Sequence, residues 1–278
     1  MRAVVIAAAL AAASCGARLL TLPAGPGAPA ADAASVIAQA TAACRAVNTI
    51  TLEMSVHGSA GGHRLRGRLT AGLARPSSAR LEAVASFGQP VFVFVATGGD
   101  ASLVLPRDRR VLEHGAPADV LDAVSGVPLD AAELRTLVTG CADAPDPSDT
   151  VAFGDAWRVA PDGADNVYFR RDSSTSAGQA IWRLVATTRR SISLTAGRST
   201  SLPARGAWRA EYAMFERNLP RTVRIVSQPP GRFDLQLDLS QVEVNVPLGA
   251  EAFRLQPTPA ADPITLDELR RSGPLGEK

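Results

Sequence analysis

Residues 233–246 read FDLQLDLSQVEVNV, a stretch in which apolar and polar residues alternate. Because successive side chains of a β-strand point to opposite faces, this pattern predicts a long strand with one buried face and one face in water. Residues 63–75, HRLRGRLTAGLAR, alternate in the same way, with leucine and small residues on one side and mostly arginine and threonine on the other. Gly61 and Gly62 stand directly before that stretch, so we expect a tight hairpin there.

Shorter stretches on both sides of these two segments show the same period. They predict further strands at 80–86, 91–97, 101–105, 109–113, 157–160, 167–170, 180–188, 208–215 and 222–227. Helical spacing instead predicts a helix at 32–46, with Asp32 or Ser35 as its cap, and two short helices at 117–124 and 130–139. The sequence therefore predicts a mainly β (α+β) protein, an antiparallel sheet of about ten strands with helices over its concave side.

The N-terminus has the layout of a secretory signal. Arg2 is followed by an apolar run at 3–13 and, after a serine, by Cys15. A cysteine directly after a small-residue cleavage site is the residue that bacterial lipoproteins acylate, so we expect a signal peptide at 1–14 and lipid on Cys15. Ordinary secretion is the alternative, because Ala12 stands where leucine is more usual. The run is shorter than the roughly 20 residues of a membrane-spanning helix.

The rest of the chain divides by composition. Residues 15–31, mostly Ala, Gly, Pro and Leu, predict a flexible stalk, residues 32–256 the folded domain, and residues 257–278 a tail with one possible short helix at 266–271. The formal net charge of the 278 residues is only +2, and arginine is spread along the strands. This distribution excludes nucleic acid as an expected partner.

Two cysteines remain if Cys15 carries lipid. An even pair in an oxidising compartment is more often bridged than free, which predicts a disulfide between Cys44 and Cys141. Two buried free thiols are the alternative.

Residues for catalysis are not evident. The three histidines, His57, His63 and His114, have no carboxylate or thiol beside them at metal-ligand spacing. The chain also lacks a nucleophile elbow, a phosphate-binding glycine-lysine loop and a dinucleotide fingerprint. We therefore predict a protein that is not an enzyme and that uses no metal or cofactor; a secreted hydrolase would need a cluster of acid, base and nucleophile that the sequence does not present.

Four segments in order resemble the LolB outer-membrane lipoprotein receptors of the LolA/LolB superfamily. They are RLEA at 80–83, FGQP at 87–90, VSGVPL at 124–129 and LRTLVTG at 134–140. The resemblance implies a half-open antiparallel barrel lidded by helices, whose hydrophobic cavity takes the acyl chains of lipoproteins from a soluble periplasmic LolA-type carrier. It also implies location at the periplasmic side of the outer membrane and a membrane-inserting loop, which corresponds here to Phe87 and Gly88.

The resulting hypothesis is a lipoprotein that binds acyl chains or lipoproteins and helps to localise them to the outer membrane. The alternative is a structural or assembly lipoprotein of the envelope, with a packed barrel that binds a protein partner. Alternation within the strands and helices gives the expected cavity lining: Leu65, Leu69, Leu73, Leu81, Val91, Val93, Leu103, Leu121, Leu134, Val223, Ile225, Leu235 and Leu237.

Overall fold

The computed structural model describes residues 18–84, 90–172, 180–190, 206–256 and 260–272. In this part of the chain fifteen strands form one sheet. The strands are β1 Ala28–Pro29, β2 Thr49–Ala60, β3 His63–Ala74, β4 Ser78–Val84, β5 Val93–Thr97, β6 Asp100–Leu105, β7 Arg110–Leu112, β8 Val151–Phe153, β9 Trp157–Asp162, β10 Asp165–Asp172, β11 Ile181–Arg189, β12 Ala207–Ala213, β13 Thr222–Gln228, β14 Phe233–Val244 and β15 Asp262–Pro263.

The sheet is open. Its order is β1-β8-β9-β10-β11-β12-β13-β14-β2-β3-β4-β5-β6-β7-β15, and β1 and β15 are its edges within the described residues. Neighbouring strands are antiparallel, apart from the parallel pair of β7 and β15. The mainly β class is confirmed, but the barrel of about ten strands is not. Strands such as β1 and β15 contain two residues each, and a segment that short shows no period in the sequence.

Helices cover one face of the sheet. α2, Pro117–Ser125, and α3, Ala131–Thr139, end at Gly126 and Gly140. The φ angles of these glycines, 74° and 59°, lie in the left-handed region, which is typical of a glycine that ends a helix. α3 begins with a reciprocal cap: the backbone N–H of Glu133 donates to the Asp130 carboxylate at 2.9 Å, and the backbone N–H of Asp130 donates to the Glu133 carboxylate at 2.8 Å. The helices are α1 Ala33–Arg45, α2 Pro117–Ser125, α3 Ala131–Thr139 and α4 Leu266–Ser272, with a 3-10 turn at Ala250–Phe253.

Both terminal segments contribute to the domain. Before the expected start at residue 32, β1 pairs with β8, and the backbone N–H of Leu20 donates to the Glu211 carboxylate at 2.8 Å. In the expected tail, α4 forms where a short helix was predicted, and its Leu269 is fully buried. Backbone hydrogen bonds in the N-terminal segment and the burial of Leu269 in the C-terminal one hold segments whose composition alone suggested a stalk and a tail.

A single main core lies between the concave face of the sheet and the helices. Leu73, Leu103 and Val223 from the strands are fully buried there, together with Val120 of α2 and Leu269 of α4. A second, smaller cluster lies on the opposite face, where Phe253 of the 3-10 turn packs near Ala74 and Val95. Each strand therefore sends alternate side chains to two different environments.

Gly58 in β2 occupies a position that only glycine fits, whereas Gly67 in β3 does not. A Cβ at Gly58 would lie 2.0 Å from the backbone oxygen of Asp234 in β14, and its φ is +142°; a Cβ at Gly67 would meet nothing within 4 Å. We expect Gly58→Ala to lower the free energy of unfolding by about 2 kcal/mol or more, and Gly67→Ala to change it by less than about 1 kcal/mol. Urea denaturation followed by circular dichroism measures both, and equal effects would contradict this account.

Candidate functional site

The structure brings most of the predicted cavity-lining residues into the main core. Leu65, Leu69 and Val91 pack against it while remaining partly exposed. The buried ones are Leu73, Leu81, Leu103, Leu121, Leu134, Val223, Ile225, Leu235 and Leu237.

Val93 differs from the other predicted residues. Its neighbours Phe92 and Phe94 are buried in the main core, while Val93 packs against the cluster around Phe253 on the opposite face. The apolar run in this strand has no polar residues to mark its two faces. The sequence therefore does not show whether Val93 or the phenylalanines beside it point inward.

The apolar face of the core becomes partly exposed toward the β2–β3 hairpin. Along β2 the residues Ile50, Leu52 and Met54 are at most 3% exposed, but Val56, next on the same face, is only half-buried. Across the pair, Leu65 and Leu69 of β3 are half-buried as well.

We call Val56, Leu65, Gly67, Leu69 and Val91 the apolar mouth. Gly67 pairs with Val56 and has open space above its Cα. Val91 lies close by, because its backbone N–H donates to Ala83, the partner of Leu69. At the mouth the apolar layer of the concave face reaches solvent.

The end of α2 touches the tip of the β2–β3 hairpin. A Cβ built on Gly126, directly after α2, would lie 3.2 Å from the side chain of Ala60. α3 is the helix that lies against β3 and β4.

α1 is fixed to the sheet by a partly buried ion pair. The Arg158 guanidinium in β9 donates from Nε and Nη2 to the two carboxylate oxygens of Asp32, at 2.7 and 2.9 Å, and it stacks on the Trp182 ring at 4.9 Å. The hydrogen bond from Arg158 lowers the pKa of the Asp32 carboxyl. Asp32 stands at the N-terminus of α1 as predicted, but its side chain serves this ion pair and makes no capping hydrogen bond.

α3 is fixed by a more deeply buried network. Arg189 of β11 donates from Nε and Nη2 to Asp165 of β10, at 2.9 and 3.0 Å, and from Nη1 to Glu133 of α3 at 2.5 Å. The three side chains are only 13 to 16% exposed. Burial acts to lower the pKa of the Arg189 guanidinium, but the bond to Asp165 and the charge of Glu133 outweigh it and raise that pKa.

α2 is held by exposed ion pairs. Asp122 binds Arg232 at the start of β14, and Asp119 lies 3.6 Å from Arg270 of α4. The Arg232 side chain is 46% exposed and that of Arg270 is 43% exposed. Because exposed pairs contribute about 0 to 1 kcal/mol each, these two ties are weaker than the buried network of α3.

A disulfide joins α1 to the end of α3. Cys44 lies in the last turn of α1, Cys141 directly follows the glycine that ends α3, and their Cα atoms are 5.5 Å apart. This agrees with the pairing predicted from the cysteine count. The covalent bond restrains α1 and α3 and leaves α2 without such a link.

The ion pairs of the helices were not predicted. Arg158 and Asp32 are separated by 126 residues, Arg232 and Asp122 by 110 and Arg189 and Glu133 by 56. In the sequence these side chains occur on segments whose charges are typical of a solvated strand or helix face. Only the folded chain brings each acid to its arginine.

Three predicted site residues lie outside the described residues: Cys15, Phe87 and Gly88. Of the histidines, His114 contacts Asp100, with Nδ1 at 2.9 Å from a carboxylate oxygen, and this hydrogen bond raises the pKa of the imidazole. Among the described residues no group of three His, Cys, Asp or Glu side chains is arranged to hold a metal ion. None of the helices described combines the length and apolarity needed to cross a bilayer.

Comparison with solved structures finds similar folds at low sequence identity. A LolA superfamily protein from Nitrosomonas europaea aligns with a TM-score of 0.51 and 12% identity over 80% of this chain and 97% of its own. A DUF1329 family protein from Desulfovibrio piger gives a TM-score of 0.45 with 10% identity over 82% and 98% of the two chains. The lipoprotein LppX of Mycobacterium tuberculosis gives 0.32 with 13% identity over 78% and 97%.

The likeness to the Nitrosomonas protein is one of fold. No protein-family model matches the sequence. No curated protein matches it either.

Proposed function

We propose that this protein is an envelope lipoprotein that binds the acyl chains of a lipid or lipoprotein between its sheet and its helices. The observation that carries the proposal is the apolar mouth, where the apolar layer of the concave face reaches solvent beside α2. The similarity of fold to a LolA superfamily protein supports the same conclusion. An acyl chain entering at the mouth would displace α2, whose ion pairs with the rest of the domain are exposed.

The free-energy cost of moving α2 and the free-energy gain from burying an acyl chain are similar in size. Moving α2 away would expose Val120, Leu121 and Val124, which are at most 5% exposed, at a cost of about 1.5 to 3 kcal/mol each. An acyl chain that buries about ten methylenes contributes about 8 kcal/mol, since each contributes about 0.8 kcal/mol. Binding is therefore favourable for long chains and unfavourable for short ones, and no covalent chemistry is required.

Lipid on Cys15 would tether the domain to the outer membrane on its periplasmic side, within reach of a LolA-type carrier. In this scheme Phe87, with Gly88, inserts into the bilayer during delivery, because an aromatic side chain partitions well into the membrane interface. We expect Phe87→Glu to leave acyl binding unchanged and to abolish transfer to liposomes.

Binding is tested with the full chain carrying Cys15→Ser, using a palmitoylated peptide and native mass spectrometry. We expect one peptide per chain, and Gly67→Leu, which adds a side chain in the open space of the mouth, to lower the affinity at least tenfold. Gly72→Leu is the matched control, because Gly72 lies on the opposite face of β3, where a Cβ would meet only Leu248 at 3.8 Å. Equal affinity of Gly67→Leu and Gly72→Leu would contradict entry at the mouth.

Dense packing of the core favours the second candidate, a structural lipoprotein that binds a protein partner. Leu73, Leu103 and Val223 are fully buried. A folded chain that binds neither palmitoylated peptide nor free fatty acid would support this candidate and overturn the acyl-binding function.

A further inference from the structure

The outer face of β3 carries three arginines in one row. Arg64, Arg66 and Arg68 alternate with the inward-facing Leu65 and Leu69, and all three arginines are exposed. Alternate residues of a strand are about 7 Å apart, so the row is about 13 Å long. In the part of the chain that the structure describes, none of the three guanidinium groups forms an ion pair. We call these residues the arginine row.

The next strand does not neutralise the arginine row. In β2 the residues that pair with Arg64, Arg66 and Arg68 are Ser59, His57 and Ser55, in that order. None of them carries a negative charge, and His57 adds a positive one when protonated. Three positive charges therefore stand together with only neutral or basic side chains opposite.

Acids lie on this face beside Arg68 and further away in β14. Glu53 of β2 and Glu82 of β4 are both paired with Thr70, so they stand diagonal to Arg68, and Glu82 binds Arg80 at 2.6 Å. In β14, Asp234 binds Arg224 of β13 at 2.8 Å, and Asp238 accepts a hydrogen bond from Thr222 at 3.2 Å and lies 3.6 Å from His57. None of the three arginines has an acid directly opposite it in β2, and Arg64 and Arg66 lie farther from the two glutamates than Arg68 does.

The arginine row and the apolar mouth share one segment of β3. Leu65, Gly67 and Leu69 of the mouth alternate with the arginines, so the two features lie on opposite faces of the same hairpin. A surface that binds the arginine row would therefore be separated from the mouth by the thickness of one strand. The β2 residues directly opposite the row, Ser59, His57 and Ser55, include no large apolar side chain of the kind that a protein interface usually has at its centre.

We propose that the arginine row binds the phosphate headgroups of an anionic phospholipid bilayer and so orients the hairpin, with the mouth, at the membrane surface. The guanidinium fork matches phosphate geometry, and a row of three positive charges fits a surface of closely spaced anions. The benefit of orienting the mouth at a membrane rests on the proposed acyl-binding function. The binding of the bilayer itself does not, because it depends on charge alone. An acidic protein would be the other class of partner.

The test is co-sedimentation of the full chain, with Cys15→Ser in every variant so that no lipid anchor contributes. Vesicles of phosphatidylcholine containing phosphatidylglycerol are compared with vesicles of phosphatidylcholine alone. The triple variant Arg64→Gln, Arg66→Gln, Arg68→Gln removes the arginine row. The matched control removes the same charge from three scattered exposed arginines, Arg107→Gln, Arg217→Gln and Arg254→Gln.

We expect the parent chain to bind the anionic vesicles and not the neutral ones, with affinity falling as salt rises, because the Debye length is about 10 Å at 0.1 M. Removing the arginine row should weaken binding roughly 100-fold, since each basic residue near an anionic surface contributes about fivefold. The control variant should change it less than about threefold. Equal losses in the two triple variants, or no preference for anionic vesicles, would overturn the proposal and leave an acidic protein as the partner to seek.

Palmitoylated-peptide binding in solution, measured on the same proteins, separates the two hypotheses. If peptide binding persists in the arginine-row variant while vesicle binding is lost, both hypotheses are supported. Failure of peptide binding in a parent chain that still binds anionic vesicles through the row would refute the acyl-binding function alone. A parent chain that binds peptide but ignores anionic vesicles would refute the arginine-row proposal alone.

Discussion

Removing the Cys44–Cys141 disulfide is expected to lower the free energy of unfolding by about 4 kcal/mol. The bond closes a loop of 97 residues in sequence, and loops of this size restrict the unfolded chain by about 4 to 5 kcal/mol in the chain-entropy model. Both cysteines are at most 5% exposed, so the double variant Cys44→Ala, Cys141→Ala also loses some packing. Guanidinium denaturation of the double variant and of the parent chain measures the difference.

Reduction of the parent chain separates the cross-link from the packing. With reductant present, the parent should lose most of the same stability, because its side chains stay in place and only the bond is broken. The double variant, which has no bond to reduce, should not respond. A parent chain whose unfolding midpoint is the same with and without reductant would show that the bond is absent or contributes little. Loss of the bond should also release α1 from α3, while leaving the exposed ties of α2 unchanged.

Arg189→Met is expected to lower the free energy of unfolding by about 3 to 5 kcal/mol. The substitution keeps an apolar side chain beside Trp208, whose ring lies 4.8 Å from the guanidinium, but it removes the only positive charge of the buried network. Asp165 and Glu133 are then left as two acids, 16 and 15% exposed, without their arginine. Removing one partner of a buried charge network is costly because the remaining charges have lost their solvation by water.

Two further variants test this explanation against a simple packing effect. Adding Glu133→Gln and Asp165→Asn to Arg189→Met should restore most of the lost stability, since the two side chains that lose Arg189 are then uncharged; glutamine at 133 also suits the cap of α3. Arg270→Met is the control for an exposed pair, because Arg270 is 43% exposed beside Asp119 and Asp267, and it should cost less than about 1 kcal/mol. If the triple variant is as unstable as Arg189→Met, the loss comes from packing.

Strands with clear alternation of apolar and polar residues were predictable, because burial of one strand face requires an apolar residue at every second position. The stretch 233–246 forms β14 over Phe233–Val244, and the stretch 63–75 forms β3 over His63–Ala74. Both inserted helices occur within a residue of their predicted bounds, because Gly126 and Gly140 are left-handed stops. These features depend on local chain geometry, which neighbouring residues fix.

Features that depend on which distant segments meet were not predictable in the same way. Alternation did not reveal that Val93, rather than Phe92 or Phe94, packs on the convex face, since the strand is apolar on both faces. It did not show the two-residue strands at the edges of the sheet, whose order comes from pairing with β8 and β7. These two edge strands, together with the three-residue β8, are part of the difference between the ten or so strands expected and the fifteen found.

The sequence by itself determined the mainly β class, the principal strands, the covering helices and the pairing of Cys44 with Cys141, because periodicity, stop signals and cysteine count are local or compositional properties. Only the tertiary structure decided which arginine holds each helix, where the apolar layer reaches solvent, and that no acid stands directly opposite the arginine row in β2. The ion pairs of Arg189 and Arg232 with the helices join residues more than fifty apart in the chain. Their energies depend on burial and on the exact partner, and neither exists until the sheet has formed.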